Sequence, residues 1–104
     1  MNDLLEKKTH YNILFSYYQN LLTPKQQQIF KAYYEDDYSI SEISDELEIS
    51  RNAVFDTLKK VLNSLDKYES LLNLYAKEKK REEIYQKYEN SHTKELINEL
   101  KEME

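Results

Sequence analysis

The chain has 104 residues, with 15 Lys and Arg against 20 Asp and Glu, a formal charge of −5, ten Tyr, one Pro, and neither Gly nor Cys. Its length suits one domain around one small core. The lack of Cys excludes disulfides, thiolate metal sites and thiol nucleophiles, and the shortage of Gly and Pro among many Leu, Glu and Lys predicts an all-α fold.

The first helix is expected from about Asp3 to Asn20, because Leu4, Tyr11, Leu14, Phe15, Tyr18 and Leu21 recur at three- and four-residue spacing. The same segment carries Asp3, Glu6, Lys7 and Lys8 and no apolar run, so it reads as neither signal peptide nor membrane span. A soluble cytoplasmic protein with no membrane partner is expected. Thr23-Pro24 then starts a second helix. Thr23 is the cap, Pro24 takes the first helical position and Gln26 completes a capping box. This helix should reach about Glu35 and bury Ile29, Phe30, Tyr33 and Tyr34, with Glu35-Asp36-Asp37 as the connecting loop.

Residues 39–65 are patterned as a helix-turn-helix. Ser39 and Glu42 form a capping box, with Tyr38 and Ile43 as a hydrophobic staple. Ser50 caps a second helix, with Ile49 and Val54 as its staple. The apolar residues Ile40, Ile43, Leu47, Ile49, Val54 and Leu58 would fill the wedge between the helices and present the start of the second one outward, toward a nucleic-acid groove. The turn needs a left-handed residue, and with no Gly available Glu48 is the expected occupant, at a cost of roughly 1 kcal/mol.

The helix starting at Arg51 carries a heptad seam of Val54, Leu58, Val61, Leu65, Tyr68, Leu72 and Tyr75. The seam predicts one helix running through Tyr75, its later part packed on the first helix in preference to a second copy. Residues 76–83 have no apolar side chain larger than Ala. Ile84, Tyr85 and Tyr88 resume a short apolar face, residues 89–92 make a polar joint, and Leu96, Ile97, Leu100 and Met103 mark an amphipathic tail that frays unless it docks. We therefore expect a helical helix-turn-helix domain at 1–90 and a C-terminal tail at 91–104.

Charge is segregated along the chain. Residues 35–48 hold seven acids and no base, whereas residues 51–81 hold eight bases against four acids. A net acidic chain with a local basic stretch binds nucleic acid only through that stretch. The candidate contacts are Arg51, Asn52, Phe55, Lys59 and Lys60 on the reading helix, then Lys77, Lys79, Lys80 and Arg81. Tyr11, Tyr18, Tyr33, Tyr68 and Tyr75 are expected in the core. Tyr38, Phe55, Tyr85 and Tyr88 are the candidate exposed aromatics.

The frame Leu22-Thr23-Pro24-Lys25-Gln26, Tyr33-Tyr34, Asp37-Tyr38-Ser39, Ser41-Glu42-Ile43 and Ile49-Ser50-Arg51-Asn52-Ala53-Val54-Phe55-Asp56 resembles the YlxM family of small bacterial helix-turn-helix proteins. It is also similar to the last DNA-binding region of sigma factors. The resemblance covers roughly residues 1–90; family members usually have Tyr at Phe55 and Gln at Asn52. It implies a regulatory role in the signal recognition particle pathway, beside the particle's GTPase, its RNA, or transcription of the operon.

Asp56 and the acidic helix before it oppose duplex binding, because affinity rises with the number of phosphates neutralised. Two functions therefore stand side by side. One is a nucleic-acid-binding regulator, of DNA or of structured RNA, whose unpaired bases stack on Tyr and Phe. The other is a protein-interaction adaptor that no longer reads DNA and has Phe55 as an anchor. Exposure of both Phe55 and Asp56 beside Arg51 favours a protein partner; an Asp56 turned to Lys60 favours nucleic acid. A homodimer is expected, since it would set two reading helices on one duplex. Lone His10 and His92, and the lack of any Gly-rich phosphate loop, leave no catalytic or metal site, and no cofactor is expected.

Overall fold

A computed structural model describes residues 2–90 and 92–104. The described residues form six α-helices and no strand: α1 (Asn2–Tyr18), α2 (Pro24–Phe30), α3 (Ile40–Leu47), α4 (Arg51–Leu72), α5 (Leu74–Tyr88) and α6 (Lys94–Glu102). A 3₁₀ turn, Gln19–Leu21, follows α1, and a π-helical turn, Lys31–Glu35, follows α2. The chain divides into two compact units, Met1–Asn73 and Leu74–Glu104.

The starts of α2, α3 and α4 are fixed by the expected chemistry. Thr23 Oγ1 accepts from the Gln26 amide at 3.1 Å, and Gln26 Oε1 accepts from the Thr23 amide at 3.0 Å. Ser39 and Glu42 repeat this reciprocal pair at 3.0 and 3.1 Å. Ser50 Oγ accepts from the Ala53 amide at 3.0 Å. Such caps satisfy amides that a helix leaves unpaired at its start, each stabilising by about 1 kcal/mol.

The α3–α4 turn passes through Glu48 at φ 55° and ψ 42°, the left-handed conformation that the lack of Gly forces on another residue. Two bonds hold it there. The Ile49 amide donates back to the Ser44 carbonyl at 3.1 Å, closing a Schellman-type turn. The Ser44 hydroxyl donates to the Ile49 carbonyl at 2.6 Å.

The core consists of Leu14, Phe15, Tyr18, Ile29, Phe30, Ile43, Val54, Val61 and Leu65, all essentially removed from solvent. Phe15, Phe30 and Tyr34 stack in series, with ring centroids 4.3 and 4.6 Å apart. Helix α4 packs against α1, α2 and α3. Its later half is bound to α1, as expected of internal packing: the Tyr11 hydroxyl donates to Asp66 at 3.0 Å and the Tyr18 hydroxyl to Glu69 at 2.6 Å.

Several expectations need correction. The long helix does not run through Tyr75. It stops at Leu72 because Asn73 takes a left-handed conformation, φ 53°, and its amide closes on the Glu69 carbonyl at 2.8 Å. Asn is among the few residues that adopt this conformation readily. The second helix does not reach Glu35 as an α-helix either, since it widens into the π turn after Phe30. Leu4, Leu21 and Leu72 are exposed. Of the tyrosines assigned to the core, Tyr18 is buried, whereas Tyr11, Tyr33, Tyr68 and Tyr75 are half-buried.

In the second unit α6 docks on α5. Ile97 is its buried residue. Arg81 Nε donates to Glu104 at 2.8 Å, the Tyr85 hydroxyl donates to the same carboxylate at 2.9 Å, and Lys101 pairs with Glu82 at 3.6 Å. The Tyr85–Glu104 hydrogen bond is the main cause holding the Tyr85 phenol above its usual range. The joint is organised by Asn90, whose Oδ1 accepts from the amides of His92 and Thr93. Ser91, within the expected joint, lies outside the described residues.

Candidate nucleic-acid interface

The first turns of α4 divide cleanly into two sides. Val54 is fully buried and Leu58 nearly so, which anchors the inner side. Arg51, Asn52, Phe55, Asp56, Lys59 and Lys60 are exposed. Residues four apart lie one above another on a helix. Arg51, Phe55 and Lys59 therefore form one stripe, an aromatic ring with a cation one turn before and one turn after it. Asn52, Asp56 and Lys60 form the adjacent stripe. Phe55 keeps 55% of its surface exposed, far more than core packing would leave. Among the described residues Asp56 has no ion pair with Lys60 within 4 Å, so both Phe55 and Asp56 face solvent beside Arg51.

Beside Phe55 lies a hollow of about 340 Å³, within the lower range of small-ligand pockets. Its walls include Tyr33, Ile40, Phe55 and Leu58, and its cations are Lys7 and Lys59. Among the described residues no acidic side chain lines it. Four elements build it, with Ile40 supplied by the start of α3. Helix α1 brings Lys7, the π turn brings Tyr33 and Tyr34, and α4 brings Phe55, Leu58 and Lys59.

The π turn determines where the two tyrosines lie. Its extra residue per turn is closed by the Asp36 amide on the Lys31 carbonyl at 3.0 Å. Asn12 Nδ2 donates to the Tyr34 carbonyl at 3.2 Å, tying the turn to α1. Lys8 sits 5.1 Å from the centre of the Tyr33 ring and is itself paired with Asp37 at 3.3 Å. Burial raises the Tyr34 phenol above its usual range, with Tyr33 as a smaller cause. A phenol is already neutral at physiological pH, so Tyr34 brings no negative charge to the hollow.

A second hollow, of about 270 Å³, opens between α2 and α3. Lys31, Asp36, Tyr38, Ile43 and Glu46 are among the residues lining it. Tyr38 and Glu46 also line a shallower neighbour together with Glu42 and Asp45. This is the acidic side of the helix-turn-helix.

The remaining expected contacts lie on α5, in the second unit. Lys77, Lys79 and Lys80 are exposed or nearly so, at the surface of that helix. Arg81 is half-buried and engaged by Glu104, so its guanidinium is less available than its neighbours' ammonium groups. Among the expected exposed aromatics, Tyr38 and Tyr88 are exposed and Tyr85 is half-buried. Sequence reasoning missed Lys7 as a site residue and placed Tyr33 in the core. No local signal marks either, because only the packing of α1 and the π turn against α4 brings them to Phe55. Among the described residues no three His, Asp or Glu side chains gather as metal ligands, and no helix is long and apolar enough to cross a membrane.

Comparison with known proteins agrees with this architecture. Residues 5–103 match the UPF0122 family, described as "Putative helix-turn-helix protein, YlxM / p13 like". A UPF0122 protein of Listeria innocua is 43% identical over 88% of this chain and 83% of its own length. One from Bacillus pumilus is 48% identical over 80% of this chain and 76% of its own. One from Oceanobacillus iheyensis is 40% identical over 97% of this chain and its own entire length. The chain belongs to the UPF0122 family of YlxM-like helix-turn-helix proteins.

Proposed function

We propose that this UPF0122 protein is a non-catalytic regulator of the signal recognition particle pathway that binds nucleic acid, and structured RNA in preference to duplex DNA. One observation carries the reading: the exposed stripe Arg51–Phe55–Lys59 at the start of α4. A cation on either side of an exposed ring suits an unpaired base stacked on Phe55 with its flanking phosphates held by Arg51 and Lys59. Asn52 and Lys60 extend the contact. Lys77, Lys79, Lys80 and Arg81 supply a second basic segment.

Uniform duplex DNA suits the surface less well. It would bring phosphates toward Asp56 and toward the acids of α3, and each such approach lowers affinity. RNA with loops and bulges meets a less regular charge pattern. A cytoplasmic setting and a homodimer belong to the same reading.

The test is binding to the particle's RNA and to random duplex DNA of equal length across a salt series. Tighter RNA binding, with a salt slope that falls in the Arg51→Ala/Lys60→Ala protein, is the expected result. Unchanged binding by that variant at every salt concentration would remove the assignment.

The joint exposure of Phe55 and Asp56 beside Arg51, with no Asp56–Lys60 ion pair among the described residues, is the outcome that the sequence criterion assigns to a protein partner; it weighs against duplex DNA and carries a second reading. A ring flanked by both signs of charge also suits a protein partner, with Phe55 as the anchor. The adaptor would then modulate the particle's GTPase. A change in GTP hydrolysis by that enzyme in the absence of RNA, abolished in Phe55→Ala, would favour it.

A further inference from the structure

We infer that the hollow beside Phe55 receives a single unpaired nucleotide, its base against the Phe55 ring and its phosphate between Lys7 and Lys59. The inference rests on the RNA reading and deepens it. It turns an exposed stripe into a concave site with a defined occupant.

Three observations carry it. The first is charge: Lys7 and Lys59 line the hollow and, among the described residues, no acid does, although the chain as a whole is acidic. Lys59 has no ion-pair partner within 4 Å among the described residues, so its ammonium is available to an anion. The second is wall chemistry. Phe55 and Tyr33 offer ring surface, and Ile40, Leu58 and Leu62 close the rest with hydrocarbon. A flat, weakly polar ring bearing an anionic tail matches such walls, whereas an aliphatic anion leaves the aromatic faces unused. The third is placement. Tyr33 is set by the π turn, which Asn12 ties to α1, and Lys8 lies over its ring, so this wall is in position without a ligand.

A paired base cannot enter, because its faces are already stacked in the helix. The site therefore selects a bulged, looped or terminal nucleotide, and it reads the extrusion of a base more than its identity.

The test uses the full chain and two RNA duplexes of equal length, one fully paired and one carrying a single bulged 2-aminopurine. Base stacking on an aromatic side chain predicts roughly 5- to 150-fold tighter binding of the bulged duplex, with its emission altered in the complex as the base leaves its neighbours in the RNA. Phe55→Leu keeps apolar bulk at an exposed position and removes the ring. It should bring the bulged duplex down to the affinity of the paired one. Leu62→Phe fills the hollow without changing charge and should do the same while binding of the paired duplex stays unchanged. Equal affinity of wild-type protein for both duplexes, or unaltered emission on binding, would overturn the hollow as a base site; tighter binding of the particle's RNA than of duplex DNA would then leave the RNA reading resting on its basic side chains alone. No binding to either duplex or to the particle's RNA would overturn both.

Discussion

Two hollows flank the helix-turn-helix, close in size and opposite in charge. The one beside Phe55 is lined by Lys7 and Lys59, with no acid among the described residues. The one beneath Tyr38 has two acids, Asp36 and Glu46, against one base, Lys31, in its lining, with Glu42 and Asp45 around the neighbouring depression. Both owe their apolar floors to the same cause. Short helices crossing over a small core leave gaps between them, and Ile43 on one side and Leu58 on the other, both buried, lie at the base of those gaps. Their charge comes from positions the core does not use. Helix α3 fills its outer positions with Asp and Glu, and the charged positions of α1 and α4 that line the hollow carry Lys. One fold thus carries two surfaces of opposite sign, and the family's helix-turn-helix architecture alone does not say which of them meets a partner.

The comparison breaks most directly by reversing charge on the Phe55 side. Arg51→Glu with Lys59→Glu should lower RNA affinity at low salt by more than about 100-fold, and the salt slope should fall by roughly 0.7–0.9 for every phosphate that the protein no longer neutralises. An unaltered slope would mean that nucleic acid is held elsewhere. On the opposite side, Asp45→Asn with Glu46→Gln leaves the capping carboxylate of Glu42 in place. It should raise affinity for duplex DNA by about two- to fivefold, as expected for exposed charges, and leave the preference for a bulged base unchanged. Parallel titrations of the two variants separate the surfaces.

Smaller effects concern the joints that aim the helices. Ser50→Ala should cost about 1 kcal/mol of stability in urea unfolding. Glu48→Gly should add up to about 1 kcal/mol by removing the strain of a side chain at φ 55°, and it also removes one acid. Subtlest is the bond from Tyr11 to Asp66, which joins the helix carrying Lys7 to the helix carrying Lys59. Burial, with help from Asp66, pushes the Tyr11 phenol from its usual 10 up to about 12. A raised folded-state pKa contributes stability that is complete below about pH 10 and is lost as pH climbs through about 12. Tyr11→Phe should therefore be less sensitive to pH across that window. Denaturation midpoints measured at neutral pH and near pH 11 would show the difference.

What can be read from the residues in order is what neighbouring residues decide. Thr23, Ser39 and Ser50 announce three helix starts because a cap needs partners only three positions away. Glu48 follows from the turn's geometry in a chain without Gly. The seam from Val54 to Leu65 is buried as its spacing demands. Past that point, spacing misleads. Leu72 keeps the heptad rhythm but is exposed, because Asn73 breaks the helix and a local conformational preference outweighs a weak seam. Leu4 and Leu21 keep the rhythm of α1 but stay exposed. The Phe55 hollow is illegible in the sequence for a related reason. Its parts come from α1, the π turn, α3 and α4, and no periodicity links Lys7 to Lys59.

The π turn at Lys31–Glu35 has one more consequence. An α-helix advances about 100° per residue, so a turn wound one residue too wide works as a vernier between α2 and everything after it. Deleting one residue there would let the coil close as an ordinary α-helix and swing the tyrosine pair by roughly that angle. Phe30 would stay in its stack while the next two rings pointed elsewhere. In this chain, a single surplus residue is what aligns an aromatic wall with the start of α4.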